Sequence, residues 1–280
     1  MKVLVTGGSG RLGQFAIADL LEHEHEVVNA DRRRPPEGGP AARFVETDLS
    51  DVGQVAGLLK TCDAVVHLGA IPSPWGHPDE VVFANNTINT YAVFQAAWIA
   101  GIQKVAFASS ASAYGMAWSV ESRPPLFVPV DERHPFLVAE PYGLSKEVDE
   151  RTAEMFHRRS GMQAVALRFH WVARPDELEA IAAKGGADPK GHPNNLWAYV
   201  DARDAASAIR LAIEVDGLGF DAFNITAADT LCAAPTQELI DRFFPGIDQR
   251  APLPGHASCF PIEKAERLLG WTPRYSWREC

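Results

Sequence analysis

The chain has 280 residues, 46% hydrophobic and 22% charged, enough to bury a large core as one α/β domain or as a domain with a smaller lobe. A formal net charge of −10 argues against a nucleic-acid surface as the main partner, although a small anionic ligand responds to local charge and is not excluded. No apolar run approaches the length of a membrane span, and Cys62, Cys232, Cys259 and Cys280 have neither paired nor metal-like spacing. Idle thiols in a reducing, cytoplasmic setting, with no membrane and no metal, are the expectation. The opening MKVLVTGG is already a strand and a turn, so no signal peptide is expected before the fold.

KVLVT is a short apolar run rich in β-branched residues and bounded by glycines, the pattern of a buried strand. RLGQFAIADLLEHEH follows with Leu12, Phe15, Ala16, Ala18, Leu20 and Leu21 at helical spacing. His23 and His25 lie at its polar end, a poor place for a metal. EVVNAD reads as a second strand, and RRRPPEGGPAA as a Pro/Gly-rich loop. The alternation continues through the strand RFVETD, the helix DVGQVAGLLKTC and the strand DAVVHLGA. A long helix over DEVVFANNTINTYAVFQAAWIA leads into the strand KVAFASS. Then come the helix YGLSKEVDERTAEMFHRRS, the strand QAVALRF, the helix ARDAASAIRLAIEV and the strand DAFNIT.

Strands separated by helices at this rhythm predict an α/β, Rossmann-like doubly wound parallel sheet. Two stretches break the rhythm. Residues 172–195 are part helix and part Gly/Pro-rich loop, and everything after Thr226 is richer in Pro and turns. Insertions of that kind at the carboxyl edge of a sheet usually build a ligand-facing lobe. The expected division is a main domain over 1–170 and 197–225, with a small C-terminal lobe over 171–196 and 226–280.

TGGSGRLG (6–13) joins the first strand to the first helix. Gly8, Gly10 and Gly13 match G-x-G-x-x-G, and Gly7, Gly10 and Gly13 match a G-x-x-G-x-x-G variant. Glycines there let the backbone approach a pyrophosphate, whose charge is stabilised at the helix N-terminus. The strand–loop–helix context makes Gly7, Gly10, Arg11, Leu12 and Gly13 dinucleotide-binding candidates. Asp31 ends the second strand 18 residues after Gly13. A carboxylate there accepts both hydroxyls of an adenosine ribose and repels a 2′-phosphate, which favours NAD over NADP. Arg32, Arg33 and Arg34 could pair with such a phosphate, but a solvated loop is the preferred reading. Asp48 in TDLSD either faces the adenine or caps the next helix, and the two roles can coexist. It and Leu49 are further cofactor candidates.

AFASSASAYG (106–115) is a buried strand that breaks into small polar residues at its carboxyl end, where ligands sit in a doubly wound sheet. Ser109, Ser110 and Ser112 therefore lie near the cofactor. Some 30 residues on, PYGLSK places Tyr142 four positions before Lys146, on one helix face and adjacent turns. Tyrosine, with an unperturbed pKa of about 10, is too weakly ionised to be a base at neutral pH. A lysine ammonium and an oxidised nicotinamide both favour the phenolate, and a serine hydroxyl can orient the substrate oxygen.

The ordered set TGGSGRLG, TDLSD, VVHLGA, NTINT, ASSASAYG, PYGLSK and KAERLLGWTPRYS resembles the extended short-chain dehydrogenases/reductases of the NAD-dependent epimerase/dehydratase group, over almost the whole chain. The resemblance implies NAD as cofactor and Ser110, Tyr142 and Lys146 as catalytic residues. It also implies that Leu68, Ala70 and Asn86 line the cofactor cleft, with Lys146 reaching the nicotinamide ribose as well as Tyr142. It places a substrate loop at IPSPWGHP, making Ser73 a substrate candidate with Ser112.

Departures bear on substrate. Where the group shows an arginine, an aromatic pair and an asparagine, this chain reads LRFHWVARP, with Trp171 at the asparagine and Arg174 at a glycine. WAYVDARD puts Trp197 where the nucleotide-sugar epimerases carry a diphosphate-binding arginine. His170 and Trp171 pack beneath the cleft on one reading; on the other, His170 or Arg174 contacts the substrate. In these features the chain is closer to uronate dehydrogenase. An NAD-dependent oxidoreductase is expected, acting on a secondary alcohol or carbonyl of a small polar sugar or sugar acid, with a homodimer as a possible assembly. The alternatives are a nucleotide-sugar epimerase or dehydratase, and a non-catalytic NAD-binding sensor.

Overall fold

A computed structural model describes residues 1–119, 123–191 and 193–280. The chain begins with β1 (Lys2–Thr6), α1 (Arg11–Glu22), β2 (Glu26–Asp31) and β3 (Arg43–Glu46), then crosses back through α2 (Val52–Leu59) to β4 (Ala64–His67). It continues with α3 (Asp79–Ala100), β5 (Lys104–Ser110), the short strand β6 (Phe127–Val128), α4 (Pro141–Ser160) and β7 (Gln163–Phe169). The remainder comprises β8 (Trp171–Ala173), α5 (Pro175–Ala182), β9 (Tyr199–Asp201), α6 (Ala202–Glu214), β10 (Phe220–Ile225), α7 (Thr236–Phe243), β11 (Asp248–Gln249) and α8 (Glu263–Leu269). Seven strands pair in parallel in the order β10-β7-β5-β4-β1-β2-β3. The order reverses between β1 and β4, and the crevice at the carboxyl ends of those strands is where such sheets bind ligands.

The period-two geometry of a strand divides β1 between two cores. Val3 and Val5 face one side with Ile17, Leu20, Ile209 and Ile213, while Leu4 faces the other with Val28, Phe94, Phe107 and Phe156. Being buried on both faces is what makes KVLVT a continuous apolar run.

A third core holds the lobe together. Leu178, Trp197, Tyr199, Leu231, Ile240, Phe260 and Trp277 are buried there, together with Tyr114, Met116, Val128 and Val130. Ala111, Tyr114, Met116, Val128 and Val130, and Trp197 with Tyr199, thus pack in this third core although their sequence positions fall in the expected main domain. The reverse holds for α8. Ala265, Leu269 and Trp271 return to the first core, where Trp271 Nε1 donates to Asp204 O at 3.0 Å and the Asp204 carboxylate accepts the amides of Arg274 and Tyr275. The irregular stretch 171–201 also contains a parallel pair, β8 with β9, that its Gly/Pro content conceals.

Candidate active site

The glycine loop is built by close approach. Gly7 has φ +69, and a Cβ there would lie 2.6 Å from Gly69 N; at Gly13 it would lie 2.3 Å from Gly7 O. Only glycine lets the loop after β1, the start of α1 and the loop after β4 meet this tightly. Gly10 caps α1 without a side-chain bond, which leaves the first amides of the helix free for an anion. Arg11 follows at that terminus, where its guanidinium pairs with Glu177 of α5. Leu12 packs against the first core.

Asp31 at the end of β2 is held by Ser9 N on Oδ2 (3.1 Å) and Arg33 N on Oδ1 (3.0 Å), and keeps lone pairs for ribose hydroxyls. Arg32 reaches Asn85 Oδ1 at 3.0 Å and the Arg34 guanidinium lies 5.6 Å from the Phe44 ring centroid, so both have other partners. Asp48 does not cap the next helix. That cap is Asp51, whose Oδ1 accepts Gly53 N and Gln54 N, whereas Asp48 binds Ser50 N and Oγ, bonds that hold its pKa below the ordinary value. Two aspartates three apart compete for that role, and the one directly before the helix wins. Leu49 is buried beside Gly69, and Leu68 and Ala70 lie half-buried on the same loop.

Asn86 is fully buried on α3, where its amide spans the loop after β4 and the first turn of α4. Oδ1 accepts Ile71 N at 2.8 Å, while Nδ2 donates to Ile71 O and to Ser145 Oγ, both at 3.1 Å. These bonds tie α3 to the loop after β4 and to α4.

Ser110 ends β5 and caps a short 3-10 turn, Ala111–Tyr114; its Oγ accepts Ser112 N at 3.1 Å and donates to Ser112 Oγ at 3.0 Å. α4 is docked against this turn, since a Cβ on Gly143 would lie 2.7 Å from Ser112 O. Its start is fixed by Glu140, which accepts Tyr142 N (2.7 Å) and Gly143 N (2.6 Å), with Pro141 in the first turn. Burial pushes the Glu140 carboxyl up, and those amides pull it partly back. Glu140 was not singled out in the sequence; an acidic residue directly before a helix-starting proline is the signal. The Lys146 ammonium lies 5.8 Å from the Tyr142 ring centroid, so PYGLSK brings the two side chains together on the helix whose start docks against the Ser112 turn.

Beneath the couple lies a polar layer. Thr6 Oγ1 meets His67 Nδ1 at 2.7 Å, and His67 Nε2 meets Thr90 Oγ1 at 3.1 Å. Burial, aided by the Lys146 charge, pushes His67 down to about 3, so it is neutral. Glu150 accepts Ser109 Oγ at 2.5 Å and both Arg168 donors at 2.9 and 2.7 Å.

Of the substrate candidates, Ser112 is buried at the 3-10 turn and His170 follows β7. His170 is 7% exposed, its ring centroid 4.0 Å from that of Phe260, and neither ring nitrogen has a hydrogen-bond partner among the described residues. Burial pushes its pKa down to about 3, with Asn195 alongside opposing the shift. Ser73 Oγ turns onto its own loop at Trp75, 3.4 Å away. Arg174 does not converge on the site: it is exposed and forked onto Asp176 at 3.0 Å. The acidic Asp176 two positions on, at a helix start, offers the guanidinium a nearer anion. Trp171 is half-buried against the lobe core, and Trp197 is fully buried there with Nε1 donating to Pro189 O at 2.8 Å.

A parallel sheet with a glycine loop feeding α1 and a carboxylate ending β2 has the features of a dinucleotide-binding Rossmann-like fold. Residues 3–226 match the model of the NAD dependent epimerase/dehydratase family, and the chain belongs to that family. It is similar to the UDP-glucose 4-epimerase of Bacillus subtilis, 29% identical over 224 residues, 71% of this chain and 60% of that one. The chain thus spans less than two thirds of that relative's length. In structure it is similar to a short-chain dehydrogenase/reductase superfamily protein of Agrobacterium tumefaciens with bound NAD (24% identity, 99% of this chain and 94% of that one, TM-score 0.75). A mutated uronate dehydrogenase shares the fold at 21% identity over 99% and 84% of the two chains, TM-score 0.69. The family is NAD-dependent, and the open α1 terminus and the Asp31 carboxylate fit that cofactor.

Proposed function

We propose that the protein is an NAD-dependent dehydrogenase of a small polar sugar or sugar acid, with net oxidation or reduction at a secondary alcohol or carbonyl carbon. Gly7, Gly10, Arg11, Leu12 and Gly13 would hold the pyrophosphate, Asp31 the adenosine ribose, and Asp48 and Leu49 the adenine side. Leu68, Ala70 and Lys146 would line the nicotinamide end. When bound, NAD supplies the hydride acceptor for the carbinol carbon. Ser110 Oγ, oriented by the 3-10 turn it caps, donates to the substrate oxygen. Tyr142 Oη takes the hydroxyl proton as the C–H electron pair leaves, and returns it in the reverse direction. Lys146 stabilises the phenolate and holds the ribose. Ser73, Ser112 and His170 are the side chains proposed to meet the substrate; Arg174, engaged with Asp176, is not among them.

Trp197 carries the preference for a free sugar over a nucleotide sugar. The position resembling the epimerases' diphosphate arginine holds a buried indole satisfied by Pro189 O. Without an anchor for a diphosphate, an oxidised intermediate leaves more readily than it rotates and is reduced again. The second reading, a nucleotide-sugar epimerase, is favoured by the similarity to UDP-glucose 4-epimerase.

Product stoichiometry separates the two. A dehydrogenase forms one NADH per product, followed by absorbance over a panel of uronates, aldonates, free sugars and polyols. Tight calorimetric binding of UDP, GDP or dTDP, with sugar conversion and no net NADH, would replace the first reading by the second.

A further inference from the structure

Asp149 lies three residues beyond Lys146 on α4. Its Oδ2 is 3.2 Å from the ammonium, the two side chains are 1% and 5% exposed, and Asp149 Oδ1 meets no hydrogen-bond partner among the described residues. A Lys–Asp pair at this spacing on a helix surface is ordinarily solvated and worth little. Here both groups are out of water, and one of them is half of the proposed acid–base couple.

We propose that Asp149 is a positioning residue for the reaction: its carboxylate keeps the Lys146 ammonium ionised and oriented, and by offsetting part of that charge it sets the pH at which Tyr142 accepts the substrate proton. The inference rests on the Tyr142–Lys146 reading of the site.

The charges facing the pair single out Asp149. On α4, Glu150 is the other carboxylate, but its oxygens are taken by Arg168 of β7 and Ser109 of β5. From β4, His67 is neutral, since burial pushes it down to about 3. From α3, Thr90 presents an uncharged hydroxyl that meets His67 and lies alongside the Asp149 carboxylate, helping the ammonium to hold it down. That leaves Asp149 to balance Lys146. Burial alone would lower the lysine's pKa, yet Asp149, followed by Tyr142 and Glu150, raises it above the ordinary value. Burial pushes the Asp149 carboxyl up, and the ammonium beside it pulls back. Of the three N–H groups on Nζ, one is aimed at Asp149, which leaves two for the Tyr142 oxygen and a ribose hydroxyl. The same carboxylate opposes a phenolate forming on the other side of the lysine, because like charges disfavour one another.

The test is made on the NAD-saturated protein, wild type and D149N, with lysine Nζ followed by 15N NMR and the substrate-oxidation rate followed against pH. Lys146 of the wild type should stay ionised past the ordinary lysine value of about 10.4. In D149N it should titrate about one to three units lower, and the acid limb of kcat should move down by about one unit with substrate KM little changed. A wild-type Lys146 that titrates at or below the ordinary value overturns the proposal, and this measurement needs no variant to fold. An acid limb unmoved in D149N overturns it too, where Tyr142→Phe abolishes turnover. If Tyr142→Phe stays active, the underlying reading of the site fails, and the lysine titration alone judges the Asp149 pair.

Discussion

Tyr142 depends on groups that are ordinary taken singly: a Glu140 cap beneath its amide, a Ser145 hydroxyl donating to its carbonyl at 2.7 Å, and Lys146 on the same helix face. The division of labour predicts two different failures. Tyr142→Phe removes only the proton acceptor, so initial rates should fall by about 10²- to 10⁴-fold while calorimetric NAD affinity stays nearly unchanged. Lys146→Ala should damage both rate and NAD affinity, because one ammonium is proposed to serve the phenolate and the ribose; selective loss of either would contradict that double role. The placement of Tyr142 near Lys146 and of Ser110 at the end of β5 was legible in the sequence, because spacing on a helix and a strand's carboxyl end are local properties. The destination of Arg174 was not legible, because a cation takes whichever anion the fold brings nearest, and here that is Asp176.

β7 delivers Arg168 to the Glu150 ion pair and leads His170 into a buried place beside Phe260. The imidazole has a pH consequence. Its folded value of about 3 lies below the ordinary 6.5, so the unfolded chain binds a proton that the folded chain refuses between those values. Stability from this group is complete above about pH 6.5 and declines toward pH 3 as the medium is acidified, by about 1.4 kcal/mol per unit. His170→Phe keeps a ring against Phe260 and removes the proton site. Its urea-unfolding free energy should therefore fall less steeply than that of the wild type between pH 6.5 and 4.5. Parallel slopes would show that the histidine is not buried neutral. His67, engaged by Thr6 and Thr90, keeps its own acid sensitivity in the variant. The strands, long helices and glycine loop follow from period, propensity and turn chemistry, whereas β8 and β9 are three residues each and too short to show a period.

Across the whole molecule, α3 leaves an apolar stripe uncovered. Val81, Ile88 and Ile99 fall on one line of the helix with Tyr91 beside them, and Ile88 and Ile99 are 54% and 57% exposed. Leu144 is exposed as well, on α4, which packs against α3. A second copy meeting the first across this face would remove it from water, which is the reading proposed for a homodimer. Sedimentation at micromolar concentration should then give a dimer for the wild type and a monomer for Ile88→Lys; a monomeric wild type would refute it. The described residues contain no helix long and apolar enough to cross a membrane.

The sequence by itself determined the strand–helix alternation, the tight glycine loop after β1, the carboxylate at the end of β2 and the proximity of Tyr142 to Lys146, because each is encoded within a few neighbouring residues. Only the tertiary structure decided that Trp197 fills the lobe core, that Trp271 closes the main core, that residues near Tyr114 belong with the lobe, and that Asp149 is left as the counter-charge of Lys146. Those outcomes depend on which distant segments exclude water from one another, and neither periodicity nor spacing carries that information.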